Sequence, residues 1–492
     1  MIATRNLVRR GFYADSVALM RIARQLQSAA GVIRASLMIG TESNKALLAD
    51  SGLLAAEGKG ARPDDLVIAV KAKSAAAAEA ALDLAGKLLT FRPSEESTER
   101  FTSSSSFNSA LATLPEANLA LISVPGEFAA AEARRALERG LHAMVFSDNV
   151  PLEEEVALKE FAARRGLLLM GPDCGTALIA GVPIAFANAV PRGDTGIVSA
   201  SGTGLQEVSS LLARAGRGVS HGIGVGGRDL SARVAGRMTL AALDALEADA
   251  ATRRIVVISK PPAPAVAKKI VARAGRSKKP VVLCLLGAGR MKLPPRVKLA
   301  RTLEEAAGIV PEEKTLDVKA KGKIRGLFCG GTLCAEARIV LEAQGVKVGP
   351  NDLVDLGDDE FTRGRPHPMI EPALRSEHLE RALKDKRVGV ILLDVVIGYG
   401  AHADPAGLIA DAVGKFRRKG CAVVASVTGT ENDPQVYSKQ VATLRAAGVI
   451  VAGSNAEAAR IAARALRTPT ARRGRPSPAR RPRRSPPRSR LR

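Results

Sequence analysis

Residues 196–207 bring small hydroxyl-bearing residues and glycines together, a combination that often binds anions through backbone amides. The first residues of this stretch predict a buried strand, and a helical pattern of apolar residues follows. Ser201, Gly202 and Thr203 lie at the turn, and Thr203 with Gln206 fits a capping box. Such a turn leaves backbone N–H groups free, and the helix dipole adds positive potential there. The stretch therefore predicts an anion site.

The same pattern returns 129 residues later, in residues 326–336. Gly330, Gly331 and Thr332 occupy the corresponding positions of this second copy. Apolar runs downstream of the two copies also match each other. Because both the glycine–threonine turn and the apolar runs after it repeat, the sequence indicates two similar α/β domains, each of which begins with an anion site.

Histidine and lysine side chains near strand ends are the candidate catalytic groups. His367 lies between two prolines, in a stiff polar loop that the first copy lacks. His402 follows one apolar strand, and Lys260 ends another. An imidazole at such a place could be a general acid or base, a phosphate ligand or a phosphorylated nucleophile.

Other polar residues are weaker candidates for a site. Arg228, Arg363 and Arg365 could hold carboxylate or phosphoryl oxygens bidentately, with surface solvation as the alternative. Asn149 and Asp173 follow predicted strands and could face a ligand, with a role in turns as the alternative.

Composition limits the possible classes of protein. Among the 492 residues, 46% are hydrophobic but only 3% are aromatic, which suits parallel strands under alanine-rich helices. We expect a soluble cytoplasmic protein, since no secretory signal and no apolar run near membrane-spanning length is visible. No cysteine spacing indicates a metal site. Cys174 lies in a polar loop, where a turn residue is favoured over a catalytic thiol.

The net charge of +24 is unevenly placed, because 10 arginines and no acidic residue lie between Ala471 and Arg492. We expect this tail to be disordered. It either binds polyanions nonspecifically or is simply solvated. No aromatic residue interleaves with the basic ones, so no specific nucleic-acid binding is expected.

The order of predicted strands and helices divides the chain. Alternation of strand and helix predicts a doubly wound sheet that binds ligands at the carboxyl ends of its strands. The expected parts are a small ferredoxin-like α+β domain (1–90), a linker (91–114), a Rossmann-like domain (115–190), the two repeats (191–312 and 320–467) and the tail (468–492).

Several phrases resemble succinyl-CoA synthetase α subunits, and the longer ones are similar to the FdrA family over roughly residues 10–465. They are Phe146-Ser-Asp-Asn149, Met170-Gly-Pro-Asp-Cys-Gly-Thr176, Ala200-Ser-Gly-Thr-Gly-Leu-Gln-Glu207, Gly226-Gly-Arg-Asp-Leu230, Ser259-Lys-Pro-Pro262 and Gly364-Arg-Pro-His-Pro-Met369. The resemblance implies an α/β chain in which a Rossmann-like CoA-binding domain precedes two flavodoxin-like succinyl-CoA-ligase domains.

The resemblance also implies where ligands bind. In the synthetases, two helix N-termini hold the phosphate of a phosphohistidine, and the helices that open at Gly202 and Gly331 would be that pair. Substrate or CoA would lie at Pro125, Asn149, Pro172, Asp173, Gly226 and Gly227.

The chain departs from the synthetases at several places. Where they carry the phosphohistidine, this chain reads Gly287-Ala-Gly-Arg-Met-Lys-Leu293, and Lys260-Pro-Pro262 replaces the glutamate that supports it. No glycine-rich phosphate loop precedes residue 115, and no nucleotide-grasp domain is present. ATP-driven CoA ligation by this chain alone is therefore not expected.

Three functions follow from the resemblance. The preferred one is an enzyme subunit that handles an acyl or carbamoyl phosphate, as in oxamate carbamoyl transfer (oxalurate phosphorolysis) during purine and allantoin degradation. The second is an acyl-CoA synthetase subunit, NDP-forming, with a nucleotide-binding partner. The third is a non-catalytic regulatory or assembly protein. Phosphate or carbamoyl phosphate would be a substrate, CoA could also be a ligand, and partner subunits or a homodimer are expected.

Overall fold

The computed structural model describes residues 2–12, 16–90, 104, 106–310, 320–362 and 367–466. The N-terminal unit has an antiparallel sheet in the order β1–β3–β2, with helices on both faces. Its elements are β1 (Ala3–Arg9), α1 (Ser16–Gln27), β2 (Val32–Ile39), α2 (Glu42–Asp50), α3 (Ala56–Lys59), β3 (Leu66–Ala72) and α4 (Ala75–Thr90). Strand β3 is central because its run is apolar: Ile68 and Val70 face one core, while Val67 and Ala69 face another.

A parallel sheet in the order β4–β5–β6 follows. Its elements are α5 (Phe107–Thr113), β4 (Leu119–Ile122), α6 (Gly126–Glu138), β5 (His142–Val145), α7 (Leu152–Arg164) and β6 (Leu169–Met170). Helix α5 lies within the range expected to be a linker. It forms because Ser106 and Ser109 cap its first turn reciprocally.

The first repeat forms a seven-stranded sheet in the order β13–β12–β11–β9–β10–β7–β8. Its elements are β7 (Thr176–Ile179), β8 (Val182–Ala185), β9 (Arg192–Ser199), α8 (Gly202–Arg214), β10 (Val219–Gly224), α9 (Arg237–Ala248), β11 (Arg254–Ser259), α10 (Pro264–Gly275), β12 (Val281–Leu285), β13 (Val297–Leu299) and α11 (Leu303–Ala306). The hairpin β7–β8 comes from the range expected to be Rossmann-like, yet it extends this sheet antiparallel to β10.

The second repeat forms a parallel sheet in the order β15–β14–β16–β17–β18. Its elements are β14 (Lys323–Phe328), α12 (Gly331–Ala343), β15 (Leu353–Asp355), α13 (Asp359–Thr362), α14 (Ala373–Lys384), β16 (Val388–Val396), α15 (Pro405–Phe416), β17 (Ala422–Thr428), α16 (Tyr437–Ala446), β18 (Ile450–Ala452) and α17 (Asn455–Leu466). The predicted α/β class with a small N-terminal α+β unit is confirmed.

The two repeats share one apolar core. Leu205 and Leu212 of α8 belong to the same buried cluster as Leu333 and Val340 of α12. Because α8 and α12 contact each other, their N-termini are held at a fixed separation. No helix in the described parts of the chain is long and apolar enough to cross a membrane.

Candidate functional site

A cleft of 1610 Å³ lies where the N-terminal unit, the Rossmann-like sheet and the two repeats meet. The loops that follow β4, β5, β6, β9 and β14 form most of its wall, together with β2 and α2. The carboxyl ends of parallel strands thus face one space, which is where doubly wound folds bind ligands.

Helix α8 points its first turn into this cleft. Ser201 is its N-cap, and its hydroxyl accepts a hydrogen bond from the Gly204 amide at 2.9 Å. The predicted capping box of Thr203 and Gln206 is therefore wrong, because the helix begins two residues earlier than that pattern requires. Gly202 and Thr203 stand in the first turn and line the cleft.

Helix α12 reaches the cleft with a different cap. Its N-cap, Gly330, has no side chain, and the Gly330 amide donates to Oδ2 of Asp394 at 2.8 Å. The predicted anion-binding role of the Gly330 amide is thus corrected, since that amide is already used. Gly331 and Thr332 follow in the first turn and line the cleft, and the Thr332 side chain is buried.

The two helix N-termini meet, with a lysine beside them. A Cβ placed on Gly330 would lie 2.9 Å from Oγ1 of Thr203, and one placed on Gly331 would lie 3.1 Å from Nζ of Lys260. Asp355 also contacts this point, and burial raises the pKa of its carboxyl. Two helix dipoles and one ammonium therefore converge here, and they are the positive groups that an anion would meet beside the Asp355 carboxylate.

His367 lines the same cleft as a neutral imidazole. Burial lowers its pKa to about 4, so it is uncharged at neutral pH. Its Nδ1 accepts a hydrogen bond from the Met369 amide at 3.2 Å, which assigns the proton to Nε2. Nε2 would lie 2.5 Å from a Cβ on Gly357, so the ring packs closely against the segment that follows β15. The geometry makes His367 a hydrogen-bond donor.

His402 lies outside the cleft lining. Its amide donates to the Met369 carbonyl at 2.8 Å, and its Nδ1 accepts from the Asp404 amide at 3.1 Å. The backbone bond to Met369 thus holds the segment that carries His367, while the ring contacts its own loop. Of the two histidines that the sequence left as alternatives, His367 lines the cleft and His402 does not.

Arg228 pairs with a buried carboxylate of the protein and does not line the cleft. Its Nε lies 2.8 Å from Oε2 of Glu155, and it also donates to the Val150 carbonyl at 2.8 Å. Glu155 in turn pairs with Lys159, which contacts Asp229, and all three of these charged side chains are fully buried. The predicted anion-binding role of Arg228 is corrected, because a buried carboxylate needs this partner. Arg363 and Arg365 lie outside the described residues.

The Rossmann-like wall carries most of the positions expected to bind substrate or CoA. Those that line the cleft are Pro125, Asn149, Asp173, Gly226 and Gly227. Pro172 does not: it is buried, and its carbonyl oxygen would lie 2.5 Å from a Cβ on Gly226. Cys174 lines the cleft, but burial raises the pKa of its thiol to about 12, which disfavours a thiolate nucleophile.

Comparison with known proteins gives the family. Residues 327–465 match the CoA-ligase family, and residues 1–105 match the AllF heavy metal-associated domain, although that range contains neither Cys nor His. The FdrA-like "Uncharacterized protein YahF" of Escherichia coli (strain K12) is 40% identical, and the match covers 92% of this chain and 97% of that protein. The chain belongs to the FdrA family.

The FdrA chain is also similar to subunit alpha-2 of the mitochondrial ADP-forming succinate–CoA ligase of Trichomonas vaginalis. The two are 29% identical over 45% of this chain and 69% of that subunit. The solved structure of a dinucleotide-forming acetyl-coenzyme A synthetase 1 of Ca. Korarchaeum cryptofilum matches 70% of this chain and 81% of its own chain, at 17% identity and a TM-score of 0.30. The match of residues 327–465 to the CoA-ligase family shows that the FdrA chain is similar to acid–thiol ligases.

Two buried glutamates connect the two repeats of the FdrA chain. Glu207 of α8 accepts from the Asn455 amide at 3.1 Å, at the start of α17 in the other repeat. Glu336 of α12 accepts from the Leu303 amide at 2.6 Å, at the start of α11 in the first repeat. Each glutamate thus caps a helix of the opposite repeat. Burial raises the pKa of both carboxyls, that of Glu336 to about 8.

The spacing of the residues in the sequence did not reveal this reciprocal role of Glu207 and Glu336. It also did not reveal Asp355, the last residue of β15, which lines the cleft, or Asp394 of β16, which accepts from the Cys329 and Gly330 amides before α12. The available signal was one acidic residue in each apolar strand, at the end of β15 and inside β16. Their partners come from distant parts of the chain, so the signal was incomplete.

Proposed function

We propose that this FdrA chain is an enzyme subunit that binds an acyl phosphate between α8 and α12. Carbamoyl phosphate is the proposed substrate, and oxamate carbamoyl transfer, run in reverse as oxalurate phosphorolysis, is the proposed reaction. The observation that carries the proposal is the meeting of two helix N-termini beside Lys260. Preorganised donors at a site of developing charge are a large catalytic effect in acyl transfer.

The chemistry follows from this arrangement. The amide nitrogen of oxamate attacks the carbamoyl carbon, and the bond from that carbon to the phosphate oxygen breaks. Phosphate leaves with the bonding pair and takes the proton that the nitrogen loses. Lys260 and the first-turn amides of both helices stabilise the phosphate, while Nε2 of His367 donates to the carbamoyl oxygen, where charge develops.

Direct transfer is favoured over a phosphohistidine relay. His367 is the sole histidine that lines the cleft among the described residues, and its Nδ1 is occupied by the Met369 amide. In this tautomer Nε2 carries a proton and has no lone pair for a phosphoryl group. This arrangement supports a hydrogen-bonding role for the ring.

An acyl-CoA synthetase subunit that works with a nucleotide-binding partner is the second candidate. The match of residues 327–465 to the CoA-ligase family and the similarity to succinate–CoA ligase α subunits favour it. For both candidate functions we propose that the chain works with partner subunits, as the similarity to a succinate–CoA ligase α subunit suggests.

One assay separates these candidates. The chain is incubated with its partner subunits, carbamoyl phosphate and oxamate, with and without CoA and ATP. We expect phosphate release that depends on oxamate and is unchanged by CoA or ATP. Release that requires CoA together with nucleotide would instead support the synthetase. Inactivity in every combination would favour a regulatory or assembly protein.

A further inference from the structure

We infer that Asp355 is a further catalytic residue, which accepts the proton of bound hydrogen phosphate and makes the site selective for phosphate over sulfate. The inference rests on the proposed function, because that function places a phosphate between α8 and α12. In the proposed reaction one proton moves between a nitrogen and the phosphate, and a carboxylate beside the phosphate can carry it.

One oxygen of the Asp355 carboxylate is fixed and the other is open. Oδ1 accepts a hydrogen bond from the Gly357 amide at 3.0 Å, which orients the side chain. Oδ2 lies directly against Gly331, the first residue of α12, and receives no hydrogen bond within the described part of the chain. Nζ of Lys260 would lie 3.1 Å from a Cβ on the same glycine, yet no ion pair joins these two side chains. An anion at the start of α12 would therefore meet both an ammonium and an open carboxylate oxygen.

The surroundings of Asp355 leave this oxygen as a proton acceptor. Within the described residues, the titratable groups that face it are Lys260 after β11, Asp358 in its own loop, Asp394 of β16, Cys329 before α12, Cys334 on α12 and His367.

Of these groups, Lys260 alone is a cation. Burial raises the pKa of both thiols to about 12 and lowers the pKa of His367 to about 4, so these three groups are uncharged at neutral pH. Burial also raises the pKa of the Asp355 carboxyl, which makes its carboxylate a stronger base.

Phosphate and sulfate differ at this contact. An ionised carboxylate only accepts hydrogen bonds. At neutral pH, hydrogen phosphate carries a proton that it can donate to Oδ2 of Asp355, whereas sulfate carries none. Sulfate would face the carboxylate with like charge and no hydrogen bond to offset it. The site should therefore distinguish two ions of similar shape and charge.

The same contact gives the proton of the proposed reaction a route. In phosphorolysis, the proton of hydrogen phosphate moves to Oδ2 of Asp355, and the electron pair that it leaves behind forms the bond to the carbamoyl carbon. The carbon–nitrogen bond breaks, and the oxamate nitrogen takes the bonding pair and the proton from Oδ2. In the transfer direction, the nitrogen gives its proton to Oδ2, which returns it to the leaving phosphate. The carboxylate is restored in both directions.

Calorimetric titration of the full chain with phosphate and with sulfate tests the inference in wild type, Asp355→Asn and Asp358→Asn. Asparagine keeps an acceptor for the Gly357 amide and removes the charge. Asp358 is the matched control, because it lies in the same loop but is exposed and accepts from the Glu360 amide at 3.1 Å. Wild type and Asp358→Asn should bind phosphate about tenfold or more tightly than sulfate, as one charge-assisted hydrogen bond provides. Asp355→Asn should bind both ions about equally, through tighter binding of sulfate.

Turnover gives a second readout. Asp355→Asn should lower kcat of the assembled enzyme by about a hundredfold or more, the usual contribution of a general acid or base, while phosphate binding is retained. Loss of phosphate binding together with turnover would instead indicate a structural role and would overturn the inference.

Equal affinity of the wild type for phosphate and sulfate, or a preference for phosphate that persists in Asp355→Asn, would also overturn it. A wild type that binds neither ion would overturn both the inference and the proposed function. A preference for phosphate that Asp355→Asn abolishes, without any oxamate-dependent turnover, would support Asp355 as the proton acceptor and count against the proposed reaction alone. The two failures are therefore distinguishable.

Discussion

His367→Ala should lower turnover of the assembled enzyme by about a hundredfold, the usual loss when one donor to developing charge is removed. The reason is that the imidazole lines the cleft, is neutral because burial lowers its pKa to about 4, and presents the Nε2 proton. The loss should fall on kcat rather than on KM, since the donor acts where charge develops. Steady-state kinetics at saturating carbamoyl phosphate measures both.

Two variants control for other effects of the change. His367→Gln, whose amide nitrogen comes near the position of Nε2, should recover part of the lost turnover. His402→Ala should retain turnover within a few fold, because that ring lies outside the lining. The pH profile should show no inflection near 6.5 from His367. Equal losses in His367→Ala and His402→Ala would contradict the assigned role.

Glu336→Ala should lower the free energy of unfolding by about 3 kcal/mol, because it leaves buried donors without an acceptor. Glu336 accepts from the Leu303 amide at 2.6 Å and from Nδ2 of Asn455 at 2.7 Å, and its side chain is fully buried. Urea unfolding of the variant and the wild type measures the difference.

Glu342→Ala is the matched control, since Glu342 lies on the same helix but is exposed, and its stability should change by less than about 0.5 kcal/mol. The pH dependence gives a second readout. The pKa of Glu336 rises from an ordinary 4.5 to about 8, so the folded state keeps a proton that the unfolded state loses. Stability from this group should therefore decrease as pH rises from 4.5 through 8. A stability loss equal to that of Glu342→Ala would show that the cap across the repeats is unimportant.

Much of the fold was predictable from local patterns. The run Leu66–Ala72 is apolar on both faces, and it forms the central strand β3. The paired Gly-Thr turns marked the starts of α8 and α12, because a strand that changes into a helix requires small residues there. Periodicity and turn chemistry act over a few residues, and the sequence shows them directly.

The site was less predictable because its contacts join distant segments. The Gly330 amide is taken by Asp394, 64 residues away, and Arg228 is taken by Glu155, which is buried in α7. Neither partner could be found from spacing alone. The sequence also did not indicate that β2 and α2 of the N-terminal unit form part of the cleft wall. Such contacts depend on how the units of the chain pack together, and this packing cannot be predicted from one sequence.

The dissociation constant of carbamoyl phosphate in wild type, Lys260→Met and Lys268→Met tests the central claim most directly. Lys260 reaches the junction of α8 and α12, whereas Lys268 is exposed on α10 and lies outside the cleft lining. The loss of one charge-assisted hydrogen bond should weaken binding to Lys260→Met by about tenfold or more, with Lys268→Met unchanged. Equal dissociation constants for all three proteins, or equal weakening in both variants, would contradict a phosphate site between the two helices.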